Sequence, residues 1–126
     1  MNFPENLHYT DSHEWVKLTG QEATIGITDY AQSELGDIIF VETPEVGKVL
    51  KAGDTLGSIE AVKTVSDLYA PLGGEVTAVN PLLTDKPETI NSDPYGDGWI
   101  VRMKVTDDSE KGKLLNADSY RASVAH

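Results

Sequence analysis

Residues 57–71 constrain this chain more than any other stretch. They are rich in β-branched residues and are bounded by Gly53-Asp54 on one side and by Pro71 with Gly73-Gly74 on the other. Such a segment reads as strand, yet it is too long for one ordinary strand. Folding it back at Val62-Lys63 sets Ala61 opposite Thr64, Glu60 opposite Val65, Ile59 opposite Ser66 and Ser58 opposite Asp67. The product is a hairpin with Lys63 at its tip. In this register Ile59 and Ala61 face one way, Glu60 and Asp67 face the other, and a slip of one residue would invert both sets.

The tip lacks Asn-Gly or Asp-Gly, which supply the positive φ angles of the favoured two-residue turns. A type I turn tolerates Val-Lys but matches strand twist less well. Local turn preference is therefore given up where the lysine stands. Taken by itself, Lys63 would be an ordinary solvated lysine, the common fate of that residue type.

Its context points elsewhere. Residues 58–74 resemble the modification hairpin of lipoyl-bearing carrier domains, in which a lysine at a strand turn is acylated by lipoate. That family has an acidic residue three before the lysine and a glycine eleven after it, positions held here by Glu60 and Gly74. Biotin carriers share the fold but usually flank their lysine with methionines, and here Val62 and Thr64 flank it.

The rest of the chain supplies β material and little helix. Residues 7–10 form a short strand candidate ended by Asp11-Ser12. Residues 13–18 alternate, with Val16 and Leu18 on one side and Trp15 and Lys17 on the other, and Ala23, Ile25 and Ile27 continue the period across a Thr19-Gly20 turn. Thr28 is placed to cap a helix of about two turns over residues 28–35, with Asp29 at its positive end and Gly36 as a left-handed stop. Packing of Ala31 and Leu35 would have to hold so short a helix. Ile38, Ile39, Phe40 and Val41 read as a strand buried on both faces. Val49-Leu50 and Thr55-Leu56 lead into the hairpin, and residues 75–79 form a further strand stopped at Asn80-Pro81. Residues 82–98 read as loop with a brief helical turn. Trp99, Val101, Met103 and Val105 then alternate with Ile100, Arg102 and Lys104, the last strong strand signal. Asn116 can cap a terminal helix over residues 116–125, in which Tyr120 and Val124 pair four residues apart.

These elements make the chain mainly β: a flattened barrel or sandwich of the lipoyl/biotinyl type, with a short early helix and C-terminal helices. A single domain over residues 1–126 is expected, its core hairpin spanning about 54–80. The chain holds no cysteine, which excludes protein-borne thiol chemistry and leaves any disulfide to an attached group. A net charge of -11 disfavours sequence-independent contact with nucleic acid or anionic lipid and suits partners with basic docking surfaces. No membrane span or targeting segment is legible, so a cytoplasmic, monomeric protein is expected, or one of the mitochondrial matrix if a presequence was omitted.

Across nearly the whole chain the order of short motifs is similar to the H-protein family of the glycine cleavage system. The motifs are His13-Glu14-Trp15, Gly26-Ile27-Thr28, Leu35-Gly36-Asp37, Pro44-Glu45-Val46-Gly47, Glu60 through Lys63, and Asp93-Pro94-Tyr95-Gly96-Asp97-Gly98-Trp99. The chain departs from that family's common residues at Thr43, Ala61 and Thr64. The resemblance implies a non-catalytic carrier whose lipoyl group, on Lys63, takes an aminomethyl group from PLP-dependent glycine decarboxylase. It implies delivery to a tetrahydrofolate-dependent aminomethyltransferase and reoxidation by dihydrolipoyl dehydrogenase. It also implies a lipoylating enzyme that reads Glu60 and Gly74, and a pocket for the loaded arm near Ser12, Glu14 and Asp67. Two alternatives stay open: a lipoyl relay that donates to 2-oxoacid dehydrogenase complexes, and a biotin carrier.

No Ser-His-Asp or Cys-His set is evident. His8 and His13 fit no common zinc spacing, and residues 93–97 lack the alternating acidic ligands of a calcium loop, so no metal site is expected. Residues 93–96 instead read as a rigid turn seating Trp99.

Overall fold

A computed structural model describes residues 2–107, 109 and 111–124. Nine strands and four short α-helices occur among them: β1 (His8–Tyr9), β2 (Glu14–Thr19), β3 (Glu22–Ile27), α1 (Asp29–Leu35), β4 (Ile38–Glu42), β5 (Val49–Leu50), β6 (Thr55–Ala61), β7 (Val65–Tyr69), β8 (Gly73–Val79), α2 (Leu82–Asp85), α3 (Thr89–Ser92), β9 (Val101–Asp107) and α4 (Ala117–Val124). The strands form two open sheets. One has six strands in the order β1-β2-β3-β9-β8-β5, the other three in the order β4-β6-β7. Of the two expected architectures the sandwich is the one observed, since neither sheet closes on itself.

Alternating apolar residues of both sheets meet in one core. Val16, Ile25, Ile27, Val76 and Met103 of the larger sheet pack with Leu56, Ile59 and Leu68 of the smaller. Their side chains are almost fully withdrawn from solvent, and each contributes roughly 1.5–3 kcal/mol relative to an exposed position. A second cluster on the other face of β2 joins Phe3, Leu7, Tyr9, Trp15, Ala117 and Tyr120. Tyr9 and Tyr120 stack there at 4.8 Å, so α4 is held to β1 by aromatic packing. The alternation of residues 13–18 thus serves two cores, with Trp15 in one and Val16 in the other.

Capping follows local chemistry. Thr28 Oγ1 accepts the Ala31 N–H at 3.1 Å, and Gly36, at φ 78°, donates its N–H to Gln32. Ala31 and Leu35 rest half-buried on the main core. Asn116 Oδ1 accepts the Ser119 N–H at 2.8 Å and opens α4, of which residue 125 lies outside the described residues.

The structure corrects several expectations. Residues 38–41 are not buried on both faces: β4 is an edge strand paired only with β6, and Ile39 and Phe40 are 50% and 55% exposed. A bulge between Ile38 and Phe40 leaves Ile38 turned inward and Ile39 and Phe40 outward, while Val41 rests half-buried on the core. The strand expected over residues 75–79 starts two residues earlier, so Gly73 and Gly74 belong to β8. The last strand begins at Val101, although Ile100 is already buried and donates its N–H to Ile25. Residues 82–98 hold two helical turns, α2 and α3, rather than one. The turn at Asp93-Pro94 receives Trp15 directly, whose Nε1–H donates to the Pro94 carbonyl at 2.8 Å, while Trp99 is half-buried beside the second cluster.

Candidate functional site: the hairpin tip and the adjoining clefts

The β6–β7 hairpin has the expected register, with Glu60 opposite Val65, Ile59 opposite Ser66 and Ser58 opposite Asp67. At the tip the Ala61 N–H donates to the Thr64 carbonyl at 2.8 Å, and the Val62 N–H donates to Asp37 at 3.1 Å, which ties the turn to the segment after α1. Neither Val62 nor Lys63 takes a positive φ, as the absence of Asn or Gly there requires. Lys63 is exposed, and its side chain makes no hydrogen bond or ion pair among the described residues. A rigid turn therefore presents an unengaged primary amine.

Behind the tip, the outer face of the smaller sheet carries two rows. Phe40, Glu60 and Val65 form one, and Glu42, Ser58 and Asp67 the other. Glu60 is exposed, so its carboxylate is open to a partner on the hairpin face. Gly74 is not: it is buried in β8, between β5 and β9, where a β-carbon would strike the Lys104 carbonyl oxygen.

Ser12 and Glu14 meet directly. The turn before β2 closes with the His13 N–H on the Thr10 carbonyl and holds His13 at φ 75°, a left-handed conformation uncommon outside glycine. It brings Thr10 Oγ1 and Ser12 Oγ within 2.5 and 2.6 Å of Glu14 Oε1, and both hydroxyls donate. Glu14 Oε2 accepts the Tyr69 N–H at 3.3 Å. Glu14 is only 1% exposed, and burial pushes its pKa up while these hydrogen bonds pull it back.

Two clefts meet at Ser12. One, of about 230 Å³, is lined by Ser12, His13, Tyr30, Leu35, Ile59 and Asp67 among others. The second, of about 400 Å³, is lined by Ser12, Glu14, Tyr69, Pro71 and Leu115 among others. The geometry brings Ser12 together with Glu14 by a hydrogen bond and with Asp67 across a shared cleft, whereas Glu14 and Asp67 line different clefts. Asp67 is four residues along the hairpin from Lys63, roughly 13 Å of strand. Thr10, His13 and the Tyr69 amide were not anticipated. A threonine opening the Asp11-Ser12 turn was a legible signal for the first, but a backbone amide from β7 leaves no trace in a sequence.

Residues 7–126 match the family model described as Glycine cleavage H-protein. The chain belongs to the glycine cleavage H-protein family. It is 54% identical to the glycine cleavage system H protein of Bacteroides thetaiotaomicron, with 98% of each chain covered. It is also 54% identical to that of Bacillus cereus strain AH187, over 95% of this chain and 94% of the relative. The crystal structure of a glycine cleavage system H protein from Mycobacterium marinum superposes with a TM-score of 0.87 at 40% identity, covering 94% of this chain and 96% of that one. The family provides the lipoyl carriers of the glycine cleavage system, each bearing covalently attached lipoate. No helix among the described residues is long and apolar enough to cross a membrane.

Proposed function

We propose that Lys63 is the residue that carries the lipoyl group, and that this chain acts as a non-catalytic shuttle between the enzymes of glycine cleavage. The observation that carries this reading is the unengaged Lys63 amine at a hairpin tip whose backbone is fixed by Ala61, Thr64 and Asp37. Attached there, lipoate supplies a cyclic disulfide able to accept an aminomethyl group with two electrons and to be reoxidised afterwards. The protein supplies placement, because a tether keeps the carried group at high effective concentration for successive partners.

The remaining residues take roles consistent with their positions. Glu60, exposed on the face that bears the tip, offers a carboxylate to the lipoylating enzyme, and Gly74 contributes by letting β8 and β9 approach closely. Ser12 and Asp67 line the cleft nearest the tip along the strand, and Glu14 fixes Ser12 from behind by accepting its hydroxyl. An amine held there is cationic near neutral pH, and carboxylates with a sheltered wall suit it. The partners are the PLP-dependent decarboxylase, the tetrahydrofolate-dependent aminomethyltransferase and dihydrolipoyl dehydrogenase, sharing the bacterial cytoplasm with a monomeric carrier.

Exchange of labelled bicarbonate into glycine tests the assignment. Lipoylated protein mixed with glycine decarboxylase is expected to support exchange, and Lys63→Arg to abolish it. Absence of exchange with mass-verified lipoyl protein would favour the relay that donates lipoyl groups to 2-oxoacid dehydrogenases.

A further inference from the structure

His13 has an unusual setting. It lines the 230 Å³ cleft beside Ser12 and Asp67, sits at φ 75°, and packs against Tyr30 with ring centroids 5.0 Å apart. Its Nδ1 lies 2.8 Å from the Tyr120 hydroxyl, which in turn lies 2.7 Å from Thr28 Oγ1. This hydroxyl chain links α4, the cap of α1 and the cleft wall.

Proton counting fixes the direction of the chain. Thr28 is fully buried, and its Oγ1 already accepts the Ala31 N–H, so its own hydrogen needs an acceptor. The Tyr120 oxygen is its only hydrogen-bonding neighbour placed to serve among the described residues. The phenol then has a single hydrogen left, and it points to His13 Nδ1. A bare Nδ1 requires the ring's one hydrogen to be on Nε2. Adding a proton at Nδ1 would force the chain to reverse and leave the Thr28 hydroxyl hydrogen buried without a partner, at a cost comparable to an unmade hydrogen bond.

We propose that His13 is a positioning residue of the arm cleft, held by Thr28 and Tyr120 as a neutral imidazole whose Nε2–H is its one donor for a group lodged there. This rests on the reading of Lys63 as the lipoyl site. The acceptor class is a lone pair on a sulfur of the arm, since the carried amine, once protonated, has none to offer. Neutrality also has an effect of its own: an imidazolium would repel a protonated amine, while the neutral ring leaves Asp67 unopposed. Burial favours the neutral ring and lowers its pKa, whereas Asp11 and Glu34 pull the other way. Burial raises the Tyr120 phenol to about 12, so it keeps the proton that the chain needs. Asp11 in the preceding turn and Glu34 on α1 are the charges acting on the ring, Asp67 lines the same cleft from β7, and the phenols of Tyr30 and Tyr120 lie against the imidazole.

Long-range proton–nitrogen NMR of the full chain with labelled histidine tests this directly. The expected spectrum shows His13 in the Nε2–H form alone, persisting below the pH at which free histidine is half protonated, with mixed tautomers in Tyr120→Phe. A proton on Nδ1 near neutral pH overturns the proposal, and this reading of the unaltered chain stands whether or not the variant folds. Two substitutions at His13 separate position from packing. His13→Asn suits a left-handed backbone but stops short at the Nδ1 position, while His13→Gln reaches the Nε2 position. On the loaded, lipoylated protein, ammonia release is expected to rise about three- to ten-fold in His13→Asn and to return within about twofold of the parent in His13→Gln, the span of one neutral hydrogen bond. A His13 Nε2–H resonance that ignores loading of mass-verified lipoyl protein overturns the inference alone. An unmodified Lys63 overturns the reading beneath it, and the two failures are told apart by mass.

Discussion

Glu14 at the start of β2 and Tyr69 at the end of β7 are joined across the two sheets, the Tyr69 N–H donating to Glu14 Oε2 at 3.3 Å. The same carboxylate receives Thr10 and Ser12 on its other oxygen, so one buried side chain ties the turn at the cleft to the hairpin. Glu14→Ala strands two hydroxyls and an amide together. It is expected to cost about 3 kcal/mol of stability, read as a lower urea midpoint at unchanged slope. The same variant should shorten the lifetime of the aminomethylated form, and an unchanged rate of ammonia release would refute that role.

The pH dependence of the same group has a definite sign. Burial raises the folded-state pKa of Glu14 above its unfolded value, so between the two the folded chain binds more protons than the unfolded chain. Its contribution to stability is therefore greatest below the unfolded carboxylate value and declines as pH rises through the folded one. Urea midpoints of the parent and Glu14→Gln, compared from mildly acidic to neutral pH, should show the parent losing ground to the variant as pH rises. A parent that gained on Glu14→Gln over this range would show the reverse shift.

Gly74 separates packing from recognition. A β-carbon added to it would run into the Lys104 carbonyl, so there is no space for a methyl group. Gly74→Ala is expected to cost about 1–3 kcal/mol, the range for forcing atoms into a filled site. Lipoylation of the fraction that remains folded should then proceed at close to the parent rate. Poor lipoylation of a variant with parental stability would assign Gly74 to direct contact with the modifying enzyme instead.

What could be read in the sequence divides along physical lines. The register of the β6–β7 hairpin was legible because Ile59 and Ala61 must share a buried face, and a slip would expose them. The α1 boundaries were legible because Thr28 and Gly36 act through local backbone chemistry. The run at residues 38–41 misled because four apolar residues carry no information about which strands pair beside them, and Phe40 faces solvent next to Glu60. The second core was hidden because Phe3, Tyr9, Trp15 and Tyr120 come from distant segments and share no periodic pattern. The tip position of Lys63 and the outward face of Glu60 could be reached from residue order, whereas the nearness of Ser12 and Glu14 was implied only by the family resemblance. The dependence of Glu14 on Tyr69, and of His13 on Tyr120, arises only when the sheets and α4 come together.

Everything proposed for the hairpin depends on the exposed amine of Lys63 being the acylation site. Intact and peptide mass of protein purified from its own cells, grown with lipoate, tests it most directly. The expected result is the added mass of one lipoic acid less one water, confined to the peptide containing Lys63 and absent from Lys63→Arg. An unmodified Lys63, or a biotinyl mass in its place, would contradict it.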